Sequence, residues 1–112
     1  MKYFKLLLLL LLTTLSLKAD IEDGKDTYLQ NCAGCHSVNM GSGMGKDFNL
    51  VSYNRRIEDV VKYIRTPANM YREFGYDSNA MPTLPLSEKE IKDVSEYIDA
   101  LQPFKVWMKT KK

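Results

Sequence analysis

Five consecutive residues, Cys32-Ala33-Gly34-Cys35-His36, constrain this chain more than any other part of its sequence. They contain both cysteines and the one histidine of the 112 residues. Thiol and imidazole groups are the side chains that most readily form covalent bonds or coordinate a soft metal ion. The chemistry of the protein is therefore expected to centre on this segment.

The order of these five residues is the signature for covalent attachment of haem. Two thiols three positions apart can form thioether bonds with the two vinyl groups on one edge of the macrocycle. The adjacent histidine is then delivered to the iron, so that capture and ligation come from one helical turn. We predict one haem c, bonded to Cys32 and Cys35 and ligated by His36.

Three other interpretations of the motif are weaker. A structural disulfide or a thioredoxin-like dithiol also uses Cys-x-x-Cys, but a thioredoxin fold needs alternating strands and helices, which this sequence does not indicate. A closed zinc site needs four ligands, and only Cys32, Cys35 and His36 are available. The third interpretation is chance, in which two cysteines of an exported protein happen to precede a histidine.

The N-terminus has the pattern of a secretory signal peptide. Lys2 and Lys5 precede seven consecutive leucines, and the segment ends near Ala19. This is the charged, apolar and cleavage order of an exported protein, and the leucine run is shorter than the about 20 residues of a membrane-spanning helix. We predict a signal peptide at residues 1–19 and a periplasmic protein, with an uncleaved N-terminal anchor as the alternative.

Loss of the leader changes the charge of the chain. It removes three of the 16 basic residues and none of the 14 acidic ones, so that residues 20–112 have a net charge of −1 in place of +2. Four of the remaining lysines lie in residues 103–112, which we predict to be a basic tail behind a domain at residues 20–102. The acidic balance of the domain argues against nucleic-acid binding, which needs a concentrated basic face.

The hydrophobic pattern predicts an all-α domain. A first helix at residues 21–33 leads into the motif, and a glycine-rich loop at residues 37–50 follows it. A second helix at residues 54–66 has an amphipathic stripe, and residues 67–86 are irregular. The capping box Ser87-Glu88-Lys89-Glu90 begins the last helix.

The second axial ligand cannot be an imidazole of this chain, because His36 is the one histidine. A methionine, a weaker ligand such as lysine or tyrosine, or an empty position stays open. Five methionines follow the leader: Met40, Met44, Met70, Met81 and Met108. Met81 differs from the others because it precedes Pro82 in an extended segment, where a restricted backbone can hold a thioether against a metal.

The sequence resembles the small monohaem class I cytochromes c. The resemblance rests on Gly24 and Tyr28 before the motif, a Met-Pro step at Met81 and a final helix through Tyr97. It covers nearly all of the chain after the leader. It implies the class I cytochrome c fold, in which three to four helices are wrapped around one covalently bound haem. It also implies Met81 as the distal ligand opposite His36, and a crossing of the first and last helices that brings Gly24 and Tyr28 near Tyr97.

One departure from this family concerns the support of His36. Its members often have a proline in the loop after the motif, and the carbonyl of that proline holds the free ring nitrogen of the histidine. Residues 37–50 contain no proline, and Met44 stands where Gly-Pro is expected. Either another carbonyl of the loop bonds to His36 or the histidine is held less tightly.

A haem with six ligands has no open position for a substrate, and a thioether ligand raises its reduction potential. We therefore expect a monomeric electron carrier and not an enzyme. Its partners would be redox proteins, with a dehydrogenase or reductase as donor and an oxidase or peroxidase as acceptor, in weak encounters. It would associate with a membrane only through an uncleaved leader.

Two other functions stay open. One is a dedicated cytochrome subunit of a periplasmic dehydrogenase, such as a sulfite dehydrogenase, and the other is a haem enzyme or gas sensor with an open sixth position.

Five basic side chains could neutralise haem propionates or steer an acidic partner: Lys46, Arg55, Arg56, Arg65 and Arg72.

Overall fold

The computed structural model describes residues 20–110, and within this range it contains helices and no strand. Helix α1 occupies residues 20–31. Four further α-helices follow: α2 at Phe48–Asn54, α3 at Ile57–Arg65, α4 at Pro67–Met70 and α5 at Glu88–Ala100. A 3-10 helix at Val106–Thr110 ends the described range. The predicted all-α fold is confirmed, whereas the predicted signal peptide lies outside the described residues.

The helices between the motif and Pro67 differ from the prediction. The loop predicted for residues 37–50 ends earlier, because Asp47 caps α2 by accepting a hydrogen bond from the backbone N–H of Asn49 at 2.8 Å. The helix predicted for residues 54–66 begins later, because the backbone is extended at Arg55 and separates α2 from α3. Because of this break, the side chains of Arg55 and Arg56 have different surroundings: Arg55 contacts Phe74 and Arg56 lies over Trp107.

The start of α5 agrees with the sequence. The Ser87 hydroxyl accepts a hydrogen bond from the N–H of Glu90 at 3.1 Å, and the Glu90 carboxylate accepts one from the N–H of Ser87 at 3.0 Å. This reciprocal pair confirms the predicted capping box. It fixes the start of the helix directly after the segment that contains Met81.

Helices α1 and α5 cross at Gly24. A Cβ atom built on Gly24 would lie 2.1 Å from the carbonyl oxygen of Asp93 and 2.8 Å from the Cβ of Tyr97, so the two backbones are in contact. Beside the crossing, the ring centroids of Tyr28 and Tyr97 are 5.7 Å apart. The expected approach of Gly24 and Tyr28 to Tyr97 is therefore confirmed.

The hydrophobic core joins the crossing to the motif and to α3. Helices α2 and α3 both pack against α5. The buried apolar side chains are Tyr28, Cys32, Phe48, Val60, Ile64, Ile91, Val94 and Ile98. No helix within residues 20–110 has the length and apolar content to cross a membrane.

The segment after α5 contains a buried lysine. Lys105 is 6% exposed, and its ammonium group donates hydrogen bonds to the carbonyl oxygens of Ser52 (2.9 Å) and Asp99 (2.7 Å). It also lies 3.1 Å from the Asp99 carboxylate. Both carbonyls lie near helix C-termini, where the helix dipole favours a cation. Lys105, which belongs to the predicted basic tail, therefore joins α2 to α5.

Replacement of Gly24 by alanine tests the helix crossing. The added methyl group would overlap the Asp93 carbonyl, so we expect Gly24→Ala to lower the free energy of unfolding by about 1–3 kcal/mol. Urea titration of the haem-containing protein, followed by circular dichroism, measures the change. Gly34→Ala is the matched control, because a Cβ at Gly34 would meet nothing within 4 Å. A Gly24→Ala protein as stable as the control would contradict the close crossing.

Candidate functional site

The motif continues the end of α1 and is held there by backbone hydrogen bonds. The N–H of Cys32 donates to the carbonyl of Tyr28 at 2.8 Å, and the N–H of His36 donates to the carbonyl of Cys32 at 2.9 Å. The Tyr28 hydroxyl in turn donates to the carbonyl of His36 at 2.7 Å. The two cysteines and the histidine are therefore positioned by one helical end.

The two thiols are free and have different environments. Cys32 is buried and Cys35 is exposed. Burial raises the pKa of the Cys32 thiol to about 11, and the neighbouring Cys35 adds to the increase. A redox-active dithiol needs a lowered thiol pKa. Cys32 therefore lacks the environment of the attacking thiol of a thioredoxin-like pair.

A cavity of about 480 Å³ lies beside the motif. Its size falls in the range of about 300–1,000 Å³ that is usual for cofactor sites. Cys32, Cys35, His36 and Met81 all line it. The other side chains around it are mostly apolar or aromatic, including Phe48, Val51, Val60, Tyr63, Ile64, Phe74, Tyr76, Leu84 and Ile98. The size of the cavity and its mostly apolar lining fit a large apolar cofactor bonded at the cysteines.

The tautomer of His36 follows from one hydrogen bond. Its Nδ1 atom lies 2.8 Å from the backbone carbonyl oxygen of Lys46. A carbonyl oxygen can only accept, so Nδ1 is the protonated nitrogen and Nε2 has a free lone pair for a metal ion. Of the two possibilities raised by the missing proline, another carbonyl of the loop is therefore the one found. This carbonyl belongs to Lys46. Met44, which stands where Gly-Pro is expected, is 90% exposed.

Two neighbours confine the His36 ring. The ring of Phe48 stacks on it, with centroids 4.5 Å apart and planes inclined by 20°. On Gly45, an added Cβ would lie 2.2 Å from the Cε1 atom of His36. The close passage of the loop backbone over the imidazole therefore requires glycine at this position.

The methionines differ in their position relative to the cavity. Met81 is half-buried, packs against the core and lines the same cavity as His36. Met44 also lines the cavity but is almost fully exposed. The cavity lining does not include Met40, Met70 or Met108. These positions make Met81 the methionine to propose as the second axial ligand.

Only two of the five predicted basic residues line the cavity, Lys46 and Arg55. The guanidinium of Arg55 donates to the carbonyl of Phe74 at 2.8 Å and lies 4.5 Å from the centroid of its ring. The Lys46 ammonium is 5.4 Å from the Tyr76 ring. The other three have partners elsewhere: Arg56 lies over Trp107, Arg65 pairs with Glu88, and Arg72 contacts Tyr71.

Asp47 is a site residue that the sequence prediction did not include. Burial alone would raise the pKa of its carboxyl, but hydrogen bonds from Ser37, Asn49 and Met40 outweigh this and hold the pKa below its ordinary value of 3.8. The resulting stabilisation is present above pH 3.8 and is lost as the pH falls through the lowered value. An aspartate directly before a helix is an N-cap signal, and it could have identified the start of α2.

Comparison with known proteins gives two matches. Residues 19–98 match the family model described as cytochrome C oxidase, cbb3-type, subunit III. A cytochrome c6 from Thermosynechococcus vestitus (strain NIES-2133 / IAM M-273 / BP-1) is 32% identical over 99 residues, which cover 81% of this chain and 79% of the relative. No solved structure matches the chain.

Replacement of Gly45 by alanine tests the confinement of His36. The methyl group would overlap the imidazole ring, so we expect Gly45→Ala to displace His36 from the Lys46 carbonyl and to destabilise the protein by about 1–3 kcal/mol. Optical spectra and urea unfolding of the haem-containing protein measure the two effects.

Gly41→Ala is the control for this change, because the nearest neighbour of its added Cβ is the side-chain oxygen of Asn39, an exposed residue that can rotate away. If the Gly45→Ala protein had the spectrum and stability of the Gly41→Ala protein, the close contact over His36 would be wrong.

Proposed function

Because the chain belongs to the small class I monohaem c-type cytochromes, we propose that it is an exported one-electron carrier whose haem has His36 and Met81 as axial ligands. Its cofactor is one covalently bound haem c, which contains iron. The proposal adds the ligand set, the thioether positions Cys32 and Cys35, and the location to what family membership gives.

The observation that carries the proposal is that His36 and Met81 line one cavity together with both cysteines. Nε2 of His36 is free to ligate, since Nδ1 is occupied by the Lys46 carbonyl. A methionine thioether is a soft ligand that favours ferrous iron, so a His/Met pair supports a relatively high reduction potential.

The cavity residues are suited to hold a haem and to exclude water from it. When bound, the haem supplies one-electron chemistry, its iron alternating between the ferric and ferrous states. The buried side chains of Val60, Ile64 and Ile98 keep the environment apolar, which disfavours the additional charge of ferric iron. Lys46 and Arg55 line the same cavity and are the cations available to pair with haem propionates.

Electron exchange with other proteins requires access to the cofactor. Cys35 is exposed, so a partner can approach the side of the haem that is bonded there. Redox partners of this kind form small and transient interfaces. We propose a dehydrogenase or reductase as donor and an oxidase or peroxidase as acceptor. The leader pattern of residues 1–19 supports a periplasmic location, where these partners would also be found.

A cytochrome subunit held permanently in a larger redox enzyme is the second candidate. Two observations favour it: the matching family model is named for a subunit of an oxidase, and Met40 and Met44 carry exposed apolar side chains in the loop after the motif. Size-exclusion chromatography of the native protein separates the two candidates. A subunit would elute with a larger partner, whereas a free carrier would elute as a monomer.

Replacement of Met81 by alanine tests the ligand assignment. We expect the wild-type protein to have a low-spin ferric spectrum with the weak far-red sulfur-to-iron band. Met81→Ala should abolish this band and lower the reduction potential, because the soft ligand is lost.

Met70→Ala is the matched control, since Met70 is half-buried but does not line the cavity. This variant should keep both the band and the potential. Survival of the band in Met81→Ala would exclude Met81 as the ligand. A high-spin wild-type spectrum with rapid carbon monoxide binding would instead support the gas-sensor or enzyme alternative.

A further inference from the structure

We propose that Asp47 is the positioning residue that holds the Lys46 carbonyl on His36 and thereby sets the ligand strength of that histidine. This inference rests on the proposed function, because it takes His36 to be an axial ligand. Asp47 does not touch the cofactor cavity and would act through the backbone. Its side chain ties the two ends of the loop at residues 37–47 together.

The Asp47 carboxylate accepts four hydrogen bonds. One oxygen accepts from the Ser37 hydroxyl and from the backbone N–H of Met40, the latter at 2.7 Å. The other accepts from the backbone N–H of Asn49 at 2.8 Å and from its side-chain amide at 2.9 Å. Asp47 is only 6% exposed, and hydrogen bonds to a buried carboxylate are among the stronger ones in proteins. One side chain thus connects three separate points of the loop and α2.

These contacts close the loop around His36. Ser37 follows His36 directly in the chain, and Asp47 follows Lys46, so the Ser37–Asp47 hydrogen bond clamps the residues next to both partners of the Nδ1 contact. Two backbone hydrogen bonds run alongside it, from Gly45 to Cys35 and from Phe48 to Ser37, each at 2.8 Å. The carbonyl of Lys46 therefore has little freedom to turn away from the imidazole.

The conformation of Met40 supports this role. Met40 has a φ of 60°, in the left-handed region, which is unfavourable for a residue with a side chain. Its N–H is the one that bonds to Asp47 at 2.7 Å. The loop therefore retains a strained residue whose N–H is held by the Asp47 carboxylate.

The consequence for the ligand is electronic as well as geometric. A histidine that donates its Nδ1 proton to a carbonyl has a fixed ring orientation and a more basic Nε2. A more basic ligand stabilises ferric iron relative to ferrous iron. Loss of the Asp47 clamp should therefore raise the reduction potential, in contrast to the loss of the Met81 thioether.

Asp47 also caps α2, and the test must separate that effect from positioning. In Asp47→Ser, the serine oxygen can still accept from the N–H of Asn49, because serine is as good an N-cap as aspartate. A single shorter oxygen cannot also hold Ser37 and Met40. Ser37→Ala removes one hydrogen bond to Asp47 and leaves the cap intact. Neither variant touches the cofactor cavity.

The experiment compares these two variants with Ser87→Ala as haem-containing proteins. Ser87→Ala removes the cap of α5, whose partner is Glu90, and is the control for helix destabilisation alone. Two quantities are measured: the reduction potential, and the exchange rate of the His36 Nδ1 proton by NMR of the ferrous protein. We expect Asp47→Ser and Ser37→Ala to raise the potential and to speed proton exchange, by about tenfold for Asp47→Ser. Ser87→Ala should change neither quantity.

Wild-type values of both quantities in Asp47→Ser and Ser37→Ala would overturn the inference and leave the proposed function standing. If Asp47→Ser does not fold, Ser37→Ala alone decides, because it loses only the contacts of the Ser37 hydroxyl with Asp47 and with the Gly41 carbonyl, and no helix cap. A wild-type protein in which His36 does not ligate the iron would contradict the proposed function itself, before any variant is compared.

Discussion

The hydrogen bond between Nδ1 of His36 and the backbone carbonyl of Lys46 is the contact on which the site depends. It decides which nitrogen is left available to a metal, because the carbonyl can only accept and Nδ1 must therefore hold a proton. It also requires the loop to pass so close to the imidazole that only glycine fits at Gly45. The stacked ring of Phe48 completes the confinement. Lys46, Gly45 and Phe48, which follow the motif, therefore all contact the imidazole ring of His36.

The rest of the fold brings this histidine to the cavity. Contact between α1 and α5 at Gly24 fixes the direction of α1, and the motif continues its last turn. Helix α5 contributes Ile98 to the cavity and packs against α2 and α3. The segment before α5 contributes Met81, which is distant from His36 in sequence but lines the same cavity. Buried apolar packing and a few backbone contacts therefore produce a site whose residues are far apart in sequence.

Much of this arrangement could be predicted from the sequence, because it depends on local patterns. The five-residue motif and the capping box at Ser87 are readable from residue type and spacing, and the helix crossing at Gly24 is implied by the family resemblance. The sequence left a loop carbonyl as one of two possibilities for His36, but it could not identify which carbonyl, since a backbone acceptor leaves no trace in the type of the residue that provides it. Lys46 was selected from the sequence for the charge of its side chain, whereas in the structure its backbone carbonyl makes the contact with Nδ1 of His36.

Two further differences have the same origin in tertiary structure. Arg55 and Arg56 are neighbours in the chain and have the same predicted role. The backbone between α2 and α3 is extended, however, so that Arg55 lines the cavity whereas Arg56 lies over Trp107. Lys105 belongs to a run of basic residues that has the composition of a solvated tail. Two helix-end carbonyls and a carboxylate nevertheless bind its ammonium group in the interior. Charge patterns in sequence do not show which charges find such partners.

We propose that Cys32 and Cys35 hold a haem covalently in the exported protein. Mass spectrometry of the denatured chain from the periplasmic fraction, after acid–acetone extraction and with a pyridine haemochrome assay on the same sample, tests it most directly. We expect one haem to stay on each chain after extraction, and to be absent when both cysteines are replaced by alanine. A chain that releases all of its haem on extraction, or that never contained any, would contradict it.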